Sequence, residues 1–596
     1  MLRDNLWEVH LRGRHPDIYL GTLTSDLAAS MAAGIRHLCR DWAVSENTVL
    51  MQLPFWRQVA LRLREEPGCA VVYDCMDEWD TFPNMGQFNV SEERRLVREN
   101  DVLVVSGRTL LEKYTAAGCR PVLARNGVDF EFYSEPHQPA RDVQVPKPVI
   151  GYFGAIAEWM DLDLVRDTAL ARPQYSFVMV GQVFRDDISK IQLPNVHLLG
   201  NKPYPDIPSY LEHFDVCVIP FVLNEVTKAT DPVKLYEYLS RGKPVVATAM
   251  AELAECEDLI YIARDAEHYA EQLDRAVAED NPALRKRRIE YAAANTWEQR
   301  YQTMNAAITQ VFPRVSIIVV THNSAEFVRP CLRSIASETS YPNYEVIVVD
   351  NGSTDGTPEA IQECAARDPR IRVQALPANM GFAAANNTGA RGAEGEFLVL
   401  LNVDTMVTSG WIGRLLRHLR RDPRIGLICP VTNFAGNEAM IDTAYLSAGQ
   451  MQVFGLDLAR ENEGRELDID VAPLFCALLR KTLWSELGGL DERFEIGMFE
   501  DDDLSLQVRQ RGLRVVASED CFVHHFGQGS FAKMPRNAYE ELFARNRRRF
   551  EEKWNTTWKT HQTRPDVKPA FERLRYQPAT FSQDEPAHES GRHASV

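Results

Sequence analysis

Long apolar runs are missing from this 596-residue chain; no stretch approaches the roughly 20 residues of a membrane-spanning helix. The opening MLRDNLWEVHLRGRHPD has no apolar core of a secretory leader. The 11 cysteines form neither CxxC pairs nor a regular spacing, which excludes a disulfide framework and fits free thiols in a reducing compartment. Positive charge is in deficit, with a formal net charge of −18, so nonspecific nucleic-acid binding is excluded. No strand leads into GxGxxG, which argues against a dinucleotide oxidoreductase, and no solenoid-length repeat occurs. What remains is a cytoplasmic globular protein of ordinary apolar content, 45%, long enough for roughly two to four cores.

Short β-branched runs alternate with helix-length amphipathic segments, the pattern of parallel α/β layers. Strands are predicted at 70–73, 102–105, 149–152, 176–180, 196–199, 216–220 and 244–247. The polar, Pro-bearing stretch 134–147 reads as a linker between two Rossmann-like halves, and 282–311 as a helical closing segment. A second α/β region restarts at Pro313, where RVSIIVVTHNS reads as a buried strand ending in polar residues, followed by a helix at 325–337 and strands at 344–349, near 370–375 and at 396–401. From Thr405 to the acidic run the pattern is irregular. The polar tail beyond Thr580 reads as disordered. The expected domains are 1–140, 141–311 and 312–575, with a tail over 576–596.

Four consecutive acids, Glu500 to Asp503, are bracketed by Phe494, Ile496, Met498, Phe499 and Leu504 rather than by solvating residues. Carboxylates crowded at a packed element cost free energy unless a metal, a base role or a cationic partner offsets it. The blander reading makes them first-turn acids complementing a helix dipole. In FLVLLNVDTMV, Asn402 and Asp404 leave a strand on the same side and can converge on one site. One carboxylate together with diphosphate oxygens suffices for Mg2+ or Mn2+. His524 and His525 follow in CFVHHFGQGSF, and Mn2+ accepts imidazole. Asp350, ending VIVVD, is placed where open sheets bind ligands and can take ribose hydroxyls.

In order and content, SIIVVTHN, VIVVDNGSTDGT, NMGFAAANNTGA, LLNVDTMV, GGLDERF with FEDDDLSLQVRQRG, and VHHFGQGSF resemble family-2 glycosyltransferases of the GT-A fold, across residues 314–529. Rhamnosyl- and galactofuranosyl-type transferases of bacterial surface glycans are the most similar subgroup. The resemblance implies that Thr321, Asp350 and the Asn that opens NMGFAAANNTGA, Asn379 just before Met380, hold the nucleotide sugar. It implies Asp404 as the metal ligand, with Asn402 standing where many members have Asp. It further implies Asp501 as general base of an inverting transfer and His525 as second metal ligand, His524 being the competing register.

In the first half, DPVKLYEYLSRGKPVVAT puts Lys234 and Glu237 three apart on one helical face. Lys can meet phosphate and Glu can accept two ribose hydroxyls. Gly154, after a strand, can let a diphosphate approach backbone amides. With YDCMDEW, ENDVLVVSGRTLLEKY and ARNGVDFEFY upstream, this half resembles GT-B group-1 glycosyltransferases of the teichuronic-acid type. By that resemblance Lys234 contacts diphosphate and Glu237 ribose. Two departures stand out: the usual E-x7-E motif would need Glu at Ala229, and the loop after Gly154 lacks its basic residue. The first strand and Gly-rich loop of a full GT-B fold read as shortened or missing. Asp74 and Asp77 end a strand and face either an acceptor or a turn.

The implied protein is a glycosyltransferase acting on nucleotide-sugar donors and a glycan or lipid-linked glycan acceptor. Either both halves transfer sugar, or the GT-A half alone does so beside a binding module. The tract FARNRRRFEEKW, with Arg545, Arg547, Arg548 and Arg549 among Phe543, Phe550 and Trp554, is either a membrane-surface helix or a face packed on the domain.

Overall fold

The structure, a computed structural model, describes residues 6–9, 16–82, 85–279, 281–527 and 534–567. The tail 576–596 and the end of the VHHFGQGSF motif from position 528 lie outside the described residues. The chain divides into two compact units. One holds residues 1–28, 49–61 and 71–308, the other 29–48, 62–70 and 309–596.

The first unit is built from two sheets. One has four strands in the order 47–51, 69–75, 102–105, 122–123. The other has six parallel strands, ordered 261–263, 245–248, 216–219, 149–153, 176–180, 196–198. All five residues of Val149–Phe153 and of Ser176–Val180 are buried, as expected of β-branched runs covered by helices on both faces. Strand order reverses where Val149–Phe153 lies beside Val216–Ile219, and Gly154 leaves the sheet at that switch point, where open sheets bind ligands.

The second unit carries a mixed sheet ordered 371–375, 344–350, 315–321, 397–402, 476–480, 425–431, 514–525, 405–407, with 466–468 added onto 514–525. Its first four strands are parallel, and the next two join antiparallel. The stretch expected to be irregular therefore holds the helices Trp411–Arg421 and Ala448–Glu461 and the strands Ile425–Val431 and Cys476–Arg480. IGLICPV interrupts its Ile and Val with Gly, Cys and Pro, and CALLR has no β-branched residue, so tertiary burial more than propensity makes them strands. Among the described residues no helix is long and apolar enough to cross a membrane.

Candidate active site

Two sequence-distant segments meet at the metal candidates. Thr405–Val407 pairs antiparallel with the end of Arg514–His525, setting Thr405 opposite His525 and Met406 opposite His524. The amide of Phe526 donates to the Asp404 carbonyl at 2.9 Å. Side chains alternate across a strand, so the two histidines face opposite ways. His525 Nδ1 lies 2.9 Å from the Phe434 carbonyl, and Nε2 lies 3.4 Å from Asp404 Oδ1. His524 is fully buried, with Nδ1 2.6 Å from the Tyr445 hydroxyl, and burial pulls its pKa down to about 3.

The donor set fits one divalent ion. A bond from His525 Nδ1–H to a carbonyl leaves the Nε2 lone pair toward Asp404, as in metal-ligating imidazoles. The 3.4 Å gap can be bridged by bonds of about 2.0–2.2 Å. Among the described residues no three His, Cys, Asp or Glu side chains gather into a metal site, so such an ion would take its other ligands from substrate or water.

Asp404 and His525 open onto a cavity of about 490 Å³, shared with His322, Asn351, Asn379 and Asn402. Thr321 and Asp350 sit behind this lining; both are buried, and Asp350 Oδ1 accepts from the Ser353 amide at 3.1 Å. Asn379 reaches the cavity whereas Met380 does not. Met380 is 55% exposed and contributes its amide, at 2.8 Å, to Asn351 Oδ1. The Asn of that motif is residue 379, and its carboxamide oxygen accepts from Asn351 Nδ2 at 3.0 Å.

A second cavity of about 460 Å³ shares Phe382, Asn402, Phe434, Met498, His525 and Tyr539 with the first, and Glu500, Asp501 and Asp502 of the acidic run line it. The run opens the helix Glu500–Gln510. Its four carboxyls have different fates. Asp501 lines the cavity and accepts from the Leu474 amide at 3.1 Å, and burial pushes its pKa up to about 6. Glu500 is 2% exposed, and its Oε1 has no hydrogen-bond partner among the described residues. Burial, then the Asp501 charge, hold its carboxyl well above the usual range. Asp502 accepts from Trp558 Nε1 and faces His561 Nε2, each at 2.8 Å. Asp503 accepts from Trp554 Nε1 at 2.8 Å and pairs with Lys553 at 2.6 Å. Asp502 and Asp503 thus anchor the C-terminal segment in addition to lying in the first helical turn.

Sequence reasoning missed the backbone bend before this helix. Glu495 (φ +57°), Met498 (φ +78°) and Phe499 (φ +77°) all lie in the left-handed region, where each non-glycine residue costs on the order of 1–3 kcal/mol. It also left open the aromatic helix Arg536–Trp554. Phe543, Phe550 and Trp554 pack with Phe494 and Phe499, while Arg545 and Arg549 pair with Glu495. Those rings are committed to the domain, which removes the apolar face that the membrane-surface reading required.

In the first unit, Gly154 (φ +127°), Lys234, Glu237, Gly181 and Lys202 line a cavity of about 390 Å³. A Cβ at Gly154 would stand 3.3 Å from Lys234 Cε, so glycine leaves the ammonium room to move. Lys234 Nζ lies 4.7 Å from the Phe221 ring centroid and 5.4 Å from that of Tyr152, and burial pulls its pKa down to about 8. Glu237 is buried, which pushes its carboxyl up. Asp74 is engaged by Arg300 at 2.6 Å and so is structural. Asp77 lines an adjoining cavity of about 680 Å³ with Trp79, Trp159, Phe221 and Lys234. Ala229 is fully buried in a cluster with Met51, Tyr73 and Trp79.

Residues 316–487 match the family described as Glycosyl transferase family 2, and residues 147–279 match Glycosyl transferases group 1. A Bacillus subtilis (strain 168) protein named for teichuronic acid biosynthesis, the glycosyltransferase TuaH, is 28% identical over 270 residues, 41% of this chain and 64% of its own length. The O-antigen biosynthesis protein RfbC of Myxococcus xanthus is 30% identical over 228 residues, 36% of this chain and 17% of its own length. A solved mannosyltransferase from Pyrobaculum calidifontis, in complex with GDP-Man and Mn2+, is 24% identical, covers 36% of this chain and 57% of its own, and has a TM-score of 0.28. The chain thus spans less than two thirds of these relatives' lengths. One polypeptide thus carries a group-1 glycosyltransferase match over residues 147–279 and a family-2 glycosyltransferase match over residues 316–487.

Proposed function

We propose that the second unit transfers a sugar from a nucleotide donor to a carbohydrate acceptor with inversion, Asp501 serving as general base. The carrying observation is a buried Asp501 carboxyl, raised to about 6, in a cavity that shares His525 with the one lined by Asp404. The acceptor hydroxyl gives its proton to Asp501 as its oxygen bonds to the anomeric carbon, and the bond from that carbon to the nucleoside diphosphate breaks. Asn379, Asn351 and Asn402 line the donor side, and Asp404 with His525 would hold Mn2+ or Mg2+, which offsets negative charge on the departing diphosphate. The role is in assembling a cell-surface polysaccharide, as the names of the teichuronic-acid and O-antigen relatives indicate for those proteins. The test is a screen of UDP-, dTDP- and GDP-sugars for hydrolysis and transfer with and without Mn2+. No turnover of any donor would remove this reading.

In the first unit, Lys234 and Glu237 would bind a second nucleotide sugar through diphosphate and ribose. Ala229 in place of Glu, and Ala155–Ile156–Ala157 in place of a basic loop, favour a rival reading in which this unit binds without transferring. Glu237→Ala discriminates: if this unit transfers sugar, one product disappears and nucleotide affinity there falls roughly 10-fold, the loss of a charged hydrogen bond. An unchanged product spectrum supports the binding-module reading. Lys234 is charged below pH about 8 and neutral above it. UDP affinity in this unit is therefore expected to fall as pH rises past that value, measured by calorimetry on a chain inactivated at Asp404.

A further inference from the structure

We propose that Asn546, in the helix Arg536–Trp554, is a positioning residue for the transfer: it fixes the bend Glu495–Phe499 that aims Asp501 into the cleft. The proposal rests on the reading of Asp501 as base. Three non-glycine residues at positive φ within five positions persist only where the surroundings over-determine them. Phe499 immediately precedes the helix Glu500–Gln510, so its backbone sets the direction of the first turn, which carries Asp501. The bend also forms cleft wall, through Ile496, Met498 and Phe499.

Asn546 is fully buried, and its Nδ2 donates to the carbonyls of Phe494 at 2.7 Å and Gly497 at 2.8 Å. Arg549 adds a bond to the Arg493 carbonyl at 2.6 Å, and Arg545 and Arg549 hold the Glu495 carboxylate at 2.9 and 2.6 Å. From the other side the bend presses on Gly381, where a Cβ would stand 1.9 Å from the Glu495 carbonyl oxygen. One carboxamide thus satisfies two carbonyls among Phe494, Phe499 and Phe550, where an unpaired acceptor is costly. Asp is the same shape but, ionised, has no donor, and would set oxygen against both carbonyls. Bend and helix both lie beyond the 316–487 family match.

The test uses the full chain with Asn546→Ala, Asn546→Asp and the milder Arg549→Met. Hydrogen exchange over residues 495–503 is followed by mass spectrometry, and hydrolysis of UDP-glucose, UDP-galactose, dTDP-rhamnose and GDP-mannose is measured with Mn2+. Exchange across 495–503 should quicken about tenfold in both Asn546 variants and less in Arg549→Met. Turnover should fall roughly 10–100-fold with donor KM within about threefold, as for a misaimed catalytic group. The acid limb of the pH–rate profile should move to lower pH as water reaches Asp501, whose titratable neighbours are Glu500, Asp502, His525 and His561. Unchanged exchange overturns the proposal. So does quickened exchange with turnover within about twofold of wild type, or a lowered Tm alone, since those mark a merely structural residue. If the wild-type chain turns over none of the four donors, the functional reading fails instead, and exchange alone then decides whether Asn546 holds the bend.

Discussion

Asp501→Asn is expected to lower sugar transfer by about 10³-fold or more, within the range a positioned general base supplies, while nucleotide affinity stays within about twofold. The amide retains shape and can still accept from the Leu474 amide, so what is lost is the ability to take a proton. Wild-type turnover should climb about tenfold per pH unit up to pH about 6 and then level, because only the carboxylate is active, and the variant should lack that limb. Stability should move the opposite way. The folded chain holds the Asp501 proton more tightly than the unfolded chain does, so between the unfolded pKa of 3.8 and about 6 stability declines with rising pH. Asn carries no charge to bury; at pH 7.5 its Tm should therefore exceed wild type, with the gap closing at pH 4. Calorimetry at both pH values checks this, and equal Tm at pH 7.5 would count against a buried, functionally poised carboxyl.

Asp404→Asn and His525→Ala should each reduce Mn2+-stimulated turnover by about 10²–10³-fold, and a chelator should erase wild-type turnover until Mn2+ is restored. The pair supplies both protein donors of the proposed ion site, so either change leaves a single ligand. His524→Ala is the control. That ring lies against Tyr445 and Phe526 on the opposite face of the strand, so its loss should lower Tm while Mn2+ dependence survives. Nucleotide binding titrated with and without Mn2+ separates the two histidines. Equal behaviour of the two variants would sink the assignment of His525 as ligand.

Much of the architecture was legible because parallel strands covered on both faces write themselves as β-branched runs. The predicted strand 102–105 matches Val102–Val105, and 176–180 matches Ser176–Val180. Legibility failed where tertiary burial overrode propensity, at Ile425–Val431 and Cys476–Arg480, whose neighbours come from far along the chain. Asp404 and His525 could be named from the sequence, but their approach depends on a ladder between Thr405–Val407 and a distant strand. Asn546 was readable in principle: Phe543, Asn546, Phe550 and Trp554 fall at helical spacing, so one polar residue interrupts an aromatic stripe. A lone amide on an apolar face is a request for a partner. What it gripped, carbonyls some 50 positions earlier, only the fold reveals.

Ala229 sets a packing constraint on the first unit. Its methyl is sealed within the cluster of Met51, Tyr73 and Trp79. A glutamate returned to that place would have to bury an unpaired charge or force the surrounding rings apart. Packing therefore opposes an acid at position 229, whereas Glu237 lies at a cavity wall.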